Sequence, residues 1–110
     1  MRSIDMNRMD RIESLLVAEI SQAILRDLND PRIGLVTITR AQVSKDLSHA
    51  RIFVSSMDGA EGAVEALQGS AGFLQSLLGK RLRLKRLPKL SFEADDSLSK
   101  LDRINRLIRD

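Results

Sequence analysis

A chain of 110 residues, 43% of them hydrophobic, is long enough for one domain with its own core and too apolar to stay disordered. It has no Cys, which excludes disulfides and thiolate metal sites, and no apolar run near the roughly 20 residues of a membrane span. Its net charge of +3 is uneven: residues 61–92 hold six basic and two acidic side chains, whereas residues 1–30 hold four and six.

The first ten residues, MRSIDMNRMD, lack the apolar stretch of a signal peptide, and their Arg residues alternate with Asp. A cytoplasmic protein is the expectation. Met9, Ile12, Leu16, Ile20, Ala23 and Ile24 then recur at helical spacing, which predicts an amphipathic helix over about 6–28. Asn29-Asp30-Pro31 ends it, because a proline disfavours helical geometry in the residue before it. Leu35 to Val43 is rich in β-branched residues and reads as a strand. Ser44-Lys45-Asp46 supplies turn chemistry, and 50–55 is the second strand. In it Ala50, Ile52 and Val54 share one face, with Arg51 and Phe53 on the other. So short a connection predicts an antiparallel hairpin.

Two helices follow, over about 62–68 and 72–80, broken at Gly69-Ser70-Ala71-Gly72. Leu90, Phe92 and Ala94 alternate with polar residues and form a third strand after Pro88. Phe73 and Phe92 read as core residues. Asp95, Asp96 and Ser97 are a helix-start signal, with Ser97 as N-cap. Leu98, Leu101, Ile104 and Leu107/Ile108 continue at helical spacing. The expected class is α+β, helices layered on a small sheet.

Catalytic chemistry is missing. His49 is the only histidine and has no Cys to partner it, so it reads as structural or solvated. No His/Cys cluster supports zinc, and no phosphate-loop or dinucleotide fingerprint appears. Glu93, Asp95 and Asp96 could hold a divalent cation in principle, but helix-start charge and capping explain them more simply. No enzyme, cofactor or metal is expected.

The charge points elsewhere. Lys80, Arg81, Arg83, Lys85, Arg86 and Lys89 follow one another with no acid between them. Such a run suits a polyanion, whose phosphates it can neutralise with release of counterions. Gly59-Ala60-Glu61-Gly62 reads as a turn, since its Glu would repel phosphate. Gly69-Ser70-Ala71-Gly72 lies between two helices, where the G-x-x-G loop of KH domains clamps a nucleic-acid backbone. Glycines that allow close helix packing account for it equally well. With three Phe and no Tyr or Trp, base stacking on sheet aromatics is not expected.

Several stretches together resemble the bacterial ribosome-binding factor A family. They are Asp30-Pro31-Arg32-Ile33-Gly34-Leu35-Val36-Thr37-Ile38-Thr39, Val43-Ser44-Lys45-Asp46-Leu47 and Ala50-Arg51-Ile52-Phe53-Val54-Ser55. Further on come Gly72 to Leu84, Pro88-Lys89-Leu90-Ser91-Phe92 and Asp95-Asp96-Ser97. The likeness spans residues 6–108 in family order. It implies a type II KH-like fold, α-β-β-α-kink-α-β with a C-terminal helix. The chain 1–110 is then a single ribosome-binding domain, core about 6–96 and final helix about 97–109.

The implied role is a small-subunit assembly factor that binds immature small ribosomal subunits and their rRNA. Late rRNA maturation, notably in the cold, is the implied process. In this family an Ala-x-Gly kink replaces the G-x-x-G loop. Here the triplet is Ser70, Ala71, Gly72, with Ser for the usual Ala. The Ser70 hydroxyl is expected to bond local backbone, and Gly72 to tolerate larger side chains poorly.

The residues expected to contact RNA are Lys80, Arg81, Arg83, Lys85 and Arg86, with Lys45, Arg51 and Arg32 secondary. Arg32 could equally tie its loop to an acidic neighbour. The protein is expected to act as a monomer away from membranes. The alternative is a protein–protein adaptor that uses its amphipathic helices.

Overall fold

A computed structural model describes residues 8–28, 30–31, 33–57, 59–83 and 86–95. Arg32, Lys85, Ser97 as N-cap and the whole expected last helix lie outside the described residues. The elements are α1 (Arg8–Arg26), β1 (Val36–Val43), β2 (His49–Ser56), α2 (Glu61–Gly69), α3 (Ala71–Leu82) and β3 (Lys89–Ala94). This is the expected α+β order. The sheet runs β1-β2-β3, with β1 antiparallel and β3 parallel to β2. A parallel neighbour requires a long crossover, and α2 and α3 supply it.

The helices cover one face of the sheet. Leu16, Ile20 and Ala23 of α1 meet Ala50, Ile52 and Val54 of β2 and Leu67, Leu74 and Leu78 of the crossover, all fully buried. The faces read from β2 are therefore borne out, and Phe92 is a core residue as expected. Phe73 is not: it is 50% exposed. Leu74 and Leu78 take the inward face of α3, and Phe73, one position from Leu74, is turned off it.

A bulge between Ile38 and Arg40 breaks the register of β1 with β2. Before it Ile38 faces inward; after it Ala41 and Val43 do. Thr39 and Arg40 both remain exposed. The Thr39 hydroxyl donates to the Phe53 carbonyl at 3.3 Å and to the Asp95 carboxylate.

Each outer strand of the sheet has backbone groups satisfied by a helix side chain. Val43 N–H donates to Glu13 Oε2 of α1 at 2.8 Å. At β3, Phe92 N–H donates to Gln68 Oε1 at 2.9 Å, and Gln68 Nε2 donates to the Leu90 carbonyl at 3.4 Å. Groups satisfied in this way are closed to another strand.

Turn chemistry closes the β1–β2 hairpin as expected. Leu47 N–H bonds to the Ser44 carbonyl at 2.9 Å, and Leu47 itself takes the left-handed region at φ 62°. Asp46 Oδ1 accepts from the Ser48 hydroxyl, the Ser44 hydroxyl and the Ser48 N–H, at 2.7, 2.8 and 3.1 Å. These bonds, led by the Ser48 hydroxyl, lower the Asp46 pKa from 3.8 to about 2. A depressed carboxylate pKa contributes stability that is complete above 3.8 and is lost as pH falls through about 2. An NMR titration should therefore find the Asp46 carboxyl midpoint near 2, with protection of the Ser48 amide lost over the same window. A midpoint at the ordinary 3.8 would contradict the hydrogen-bond account.

The break between α2 and α3 falls on Ser70, at φ −98° and ψ 6°. Its N–H bonds back to the carbonyls of Leu67 at 3.0 Å and Ala66 at 3.1 Å. Its carbonyl accepts from Leu74 N–H at 3.0 Å and so starts α3. Two details differ from expectation. The Ser70 side chain makes no capping hydrogen bond, because the backbone already makes the turn. Gly72 needs neither special backbone nor space: it is exposed in helical geometry, and an added Cβ would meet nothing within 4 Å. Gly72→Ala should thus stabilise the domain by about 0.5–1 kcal/mol through higher helix propensity. Thermal unfolding of the variant measures it; a drop in Tm would restore a packing role for this glycine.

Candidate nucleic-acid interface

α3 buries Leu74 and Leu78, and its last turn carries Lys80 and Arg81 beyond them. The helix runs two residues past the expected end, so both cations sit where the helix dipole favours positive charge. Arg83 caps the helix in the left-handed region, at φ 50° and ψ 36°. Glycine is the usual residue in such a cap, since a Cβ there costs on the order of 1 kcal/mol. The chain then passes Arg86 and the buried Pro88 to enter β3 at Lys89.

These cations divide into two groups. Arg81 turns toward α1, where its guanidinium lies 3.5 Å from Asp27 Oδ2 and 3.7 Å from Glu19 Oε2. Its side chain is only 30% exposed, so it straps α3 to α1. Lys80, Arg83, Arg86 and Lys89 are exposed. Among the described residues their side chains form neither hydrogen bond nor ion pair. One helix end, its cap, the following loop and a strand start present positive charge that no described acid pairs with.

The secondary candidates lie on the sheet. Lys45 is exposed at the hairpin turn, where a shallow depression is lined by Gln42, Val43, Ser44, Lys45, His49 and Arg51. Arg51 grips Glu93 with two nitrogens, Nη2 to Oε1 at 2.8 Å and Nε to Oε2, and donates through Nη1 to Gln42 at 3.2 Å. That bidentate bond raises the Arg51 pKa and lowers that of Glu93. His49 is exposed and shares a 2.9 Å contact between Nδ1 and the Ser48 hydroxyl. Among the described residues, no three His, Cys, Asp or Glu side chains could hold a metal ion, and no helix is long and apolar enough to cross a membrane.

The sequence reading passed over Arg40. Its guanidinium stacks on Phe53, 4.1 Å from the ring centroid, and Arg51 approaches the same ring at 5.2 Å. A signal existed. A regular strand through Ile38 would turn Arg40 inward, and a cation in that register marks a bulge.

Residues 8–108 match the family described as "Ribosome-binding factor A". The chain is 43% identical over 105 residues to ribosome-binding factor A of Thermomicrobium roseum, covering 93% of this chain and 81% of that one. Its fold is similar to the crystal structure of ribosome-binding factor A from Thermus thermophilus, with TM-score 0.74 and 32% identity, over 80% of this chain and 97% of that one. It is also similar to a Thermus thermophilus ribosome-binding factor A fitted into a cryo-EM map of a 30S complex, with TM-score 0.67 and 32% identity, over 76% and 91% of the two chains.

Proposed function

The chain belongs to the ribosome-binding factor A family, and on that premise we propose that it is an assembly factor of the small ribosomal subunit. It binds immature small subunits through their rRNA in the cytoplasm, as a monomer and without catalysis or cofactor. It supports late rRNA maturation, most critically in the cold.

The observation that carries the proposal is the group of exposed cations Lys80, Arg83, Arg86 and Lys89, whose side chains pair with no acid among the described residues. Lys85, between them in sequence, adds to the same run, and Lys45 extends it on the sheet side. Arg81 and Arg51 support the surface by holding elements together, since both are already paired with acids. The 30S complex of the Thermus protein supports the choice of partner. Charge-driven contact with phosphates gives affinity, and the shape of the assembling particle gives specificity.

Sedimentation of a cell lysate tests the proposal. The protein should travel with free small subunits at low salt and leave them at high salt, and its deletion should leave small-subunit precursor rRNA accumulating at low temperature. Normal processing in the deletion strain, with the protein absent from small-subunit fractions, would overturn it.

A second reading, a protein–protein adaptor, draws on one observation. Leu25 of α1 and Leu35 just before β1 are 82% and 92% exposed. Apolar docking there would persist as salt rises, which phosphate-driven binding does not.

A further inference from the structure

The face of the sheet turned away from the helices is uncovered among the described residues, and it is not apolar. The strand register places Arg40, Phe53 and Glu93 in one cross-strand row and Gln42, Arg51 and Ser91 in the next. Phe53 is only 6% exposed, although none of the described helices covers it on this side. Two guanidinium groups cover it instead, Arg40 at 4.1 Å and Arg51 at 5.2 Å from the ring centroid.

The two arginines are held differently. Both Glu93 oxygens are engaged by Arg51, and Gln42 takes a third donor, so that guanidinium is fixed and its charge balanced. The Arg40 side chain makes no hydrogen bond among the described residues and is exposed; its charge acts on Glu93 only through space, so its donors and its outer π-face are open. The bulge at Ile38/Arg40 is what brings it to this face, and bulges characteristically re-aim side chains in this way.

We propose that the open face of the sheet is a binding site for an unpaired nucleotide of single-stranded RNA, whose base stacks on the Arg40 guanidinium backed by Phe53. A guanidinium plane is a stacking surface for bases, and an aromatic ring behind it holds it flat. The free donors of Arg40 reach base-edge acceptors or the adjoining phosphate. Gln42 and Ser91 beside it add hydrogen-bonding groups. An apolar protein partner would find no exposed aliphatic side chain in these two rows. The proposal rests on the RNA-binding reading above and uses a different surface from the α3 cations.

The test is Arg40→Lys, which keeps the charge and removes the planar stack. Binding of a short single-stranded RNA and of an RNA duplex of equal length is measured by fluorescence anisotropy against salt. The variant should bind the single strand about tenfold more weakly, with duplex affinity and salt slope unchanged. In the wild-type protein, addition of the single strand should shift the Arg40 Nε–Hε NMR signal. Equal single-strand affinity in the variant, or an equal loss for duplex and single strand, would overturn the stacking site. So would a variant that is only less stable, since Arg40 would then merely cover Phe53. Two controls separate the ideas: a wild-type protein that binds neither RNA nor small subunits shows that the RNA reading itself is wrong, whereas RNA binding and salt slope that survive replacement of Lys80, Arg83 and Arg86 show only that the α3 cations are not the RNA site.

Discussion

Replacing Lys80, Arg83 and Arg86 together by Ala is expected to weaken RNA binding severely and reduce its salt slope by about two to three units. Each phosphate contact contributes roughly 0.7 units for a single strand and 0.9 for a duplex. The fold should hold, because exposed cations contribute at most about 1 kcal/mol each. Arg83 even stands where the helix cap favours glycine. Arg83→Gly should therefore raise stability by up to about 1 kcal/mol while removing about one unit of slope. A side chain kept at the cost of backbone strain is what an RNA-contacting residue would look like here. Arg81→Ala is the control. Its ion pairs with Glu19 and Asp27 predict a small loss of stability and little change in slope. Salt titrations of binding and denaturant unfolding, run on all three variants, read both effects. The assignment fails if Arg81→Ala flattens the slope and the triple variant does not.

Leu78→Ala should be the most damaging single change to stability. Leu78 is fully buried near the end of α3, and truncation removes its transfer energy and opens a cavity beneath the helix. Losses of about 2–5 kcal/mol are typical for such sites. For a domain of this size each kcal/mol lowers Tm by roughly 4–8 °C. The variant should also bind RNA poorly once α3 loosens, because Lys80 and Arg83 take their positions from that helix. Calorimetry and anisotropy at low temperature, where the variant is still folded, separate the two losses. A fall in Tm of only a degree or two would show that the neighbouring Leu74 and Leu82 refill the space.

Local pattern in the chain was enough to establish the order of the described elements, the inward faces of β2 and of α1, the break near Ser70 and the basic run that starts in the last turn of α3. Each depends on residues close in sequence: periods of 3.6 and 2, turn residues, and charge spacing. The family resemblance was likewise legible, since its motifs are contiguous stretches of chain. Which basic residues are free was a matter of packing. Arg81 and Arg83 are indistinguishable in sequence, yet Glu19 on α1 and Asp27 just past its end claim the first and leave the second. The same holds for Arg51, paired with Glu93 on the parallel strand β3, and for Arg40, brought over Phe53 by a bulge. Phe73 and Gly72 were misread for a related reason: helical spacing does not say which way a short helix is rotated on its sheet. Such pairings join residues far apart in the chain, and only the folded arrangement brings them within the few ångströms at which charges and rings interact.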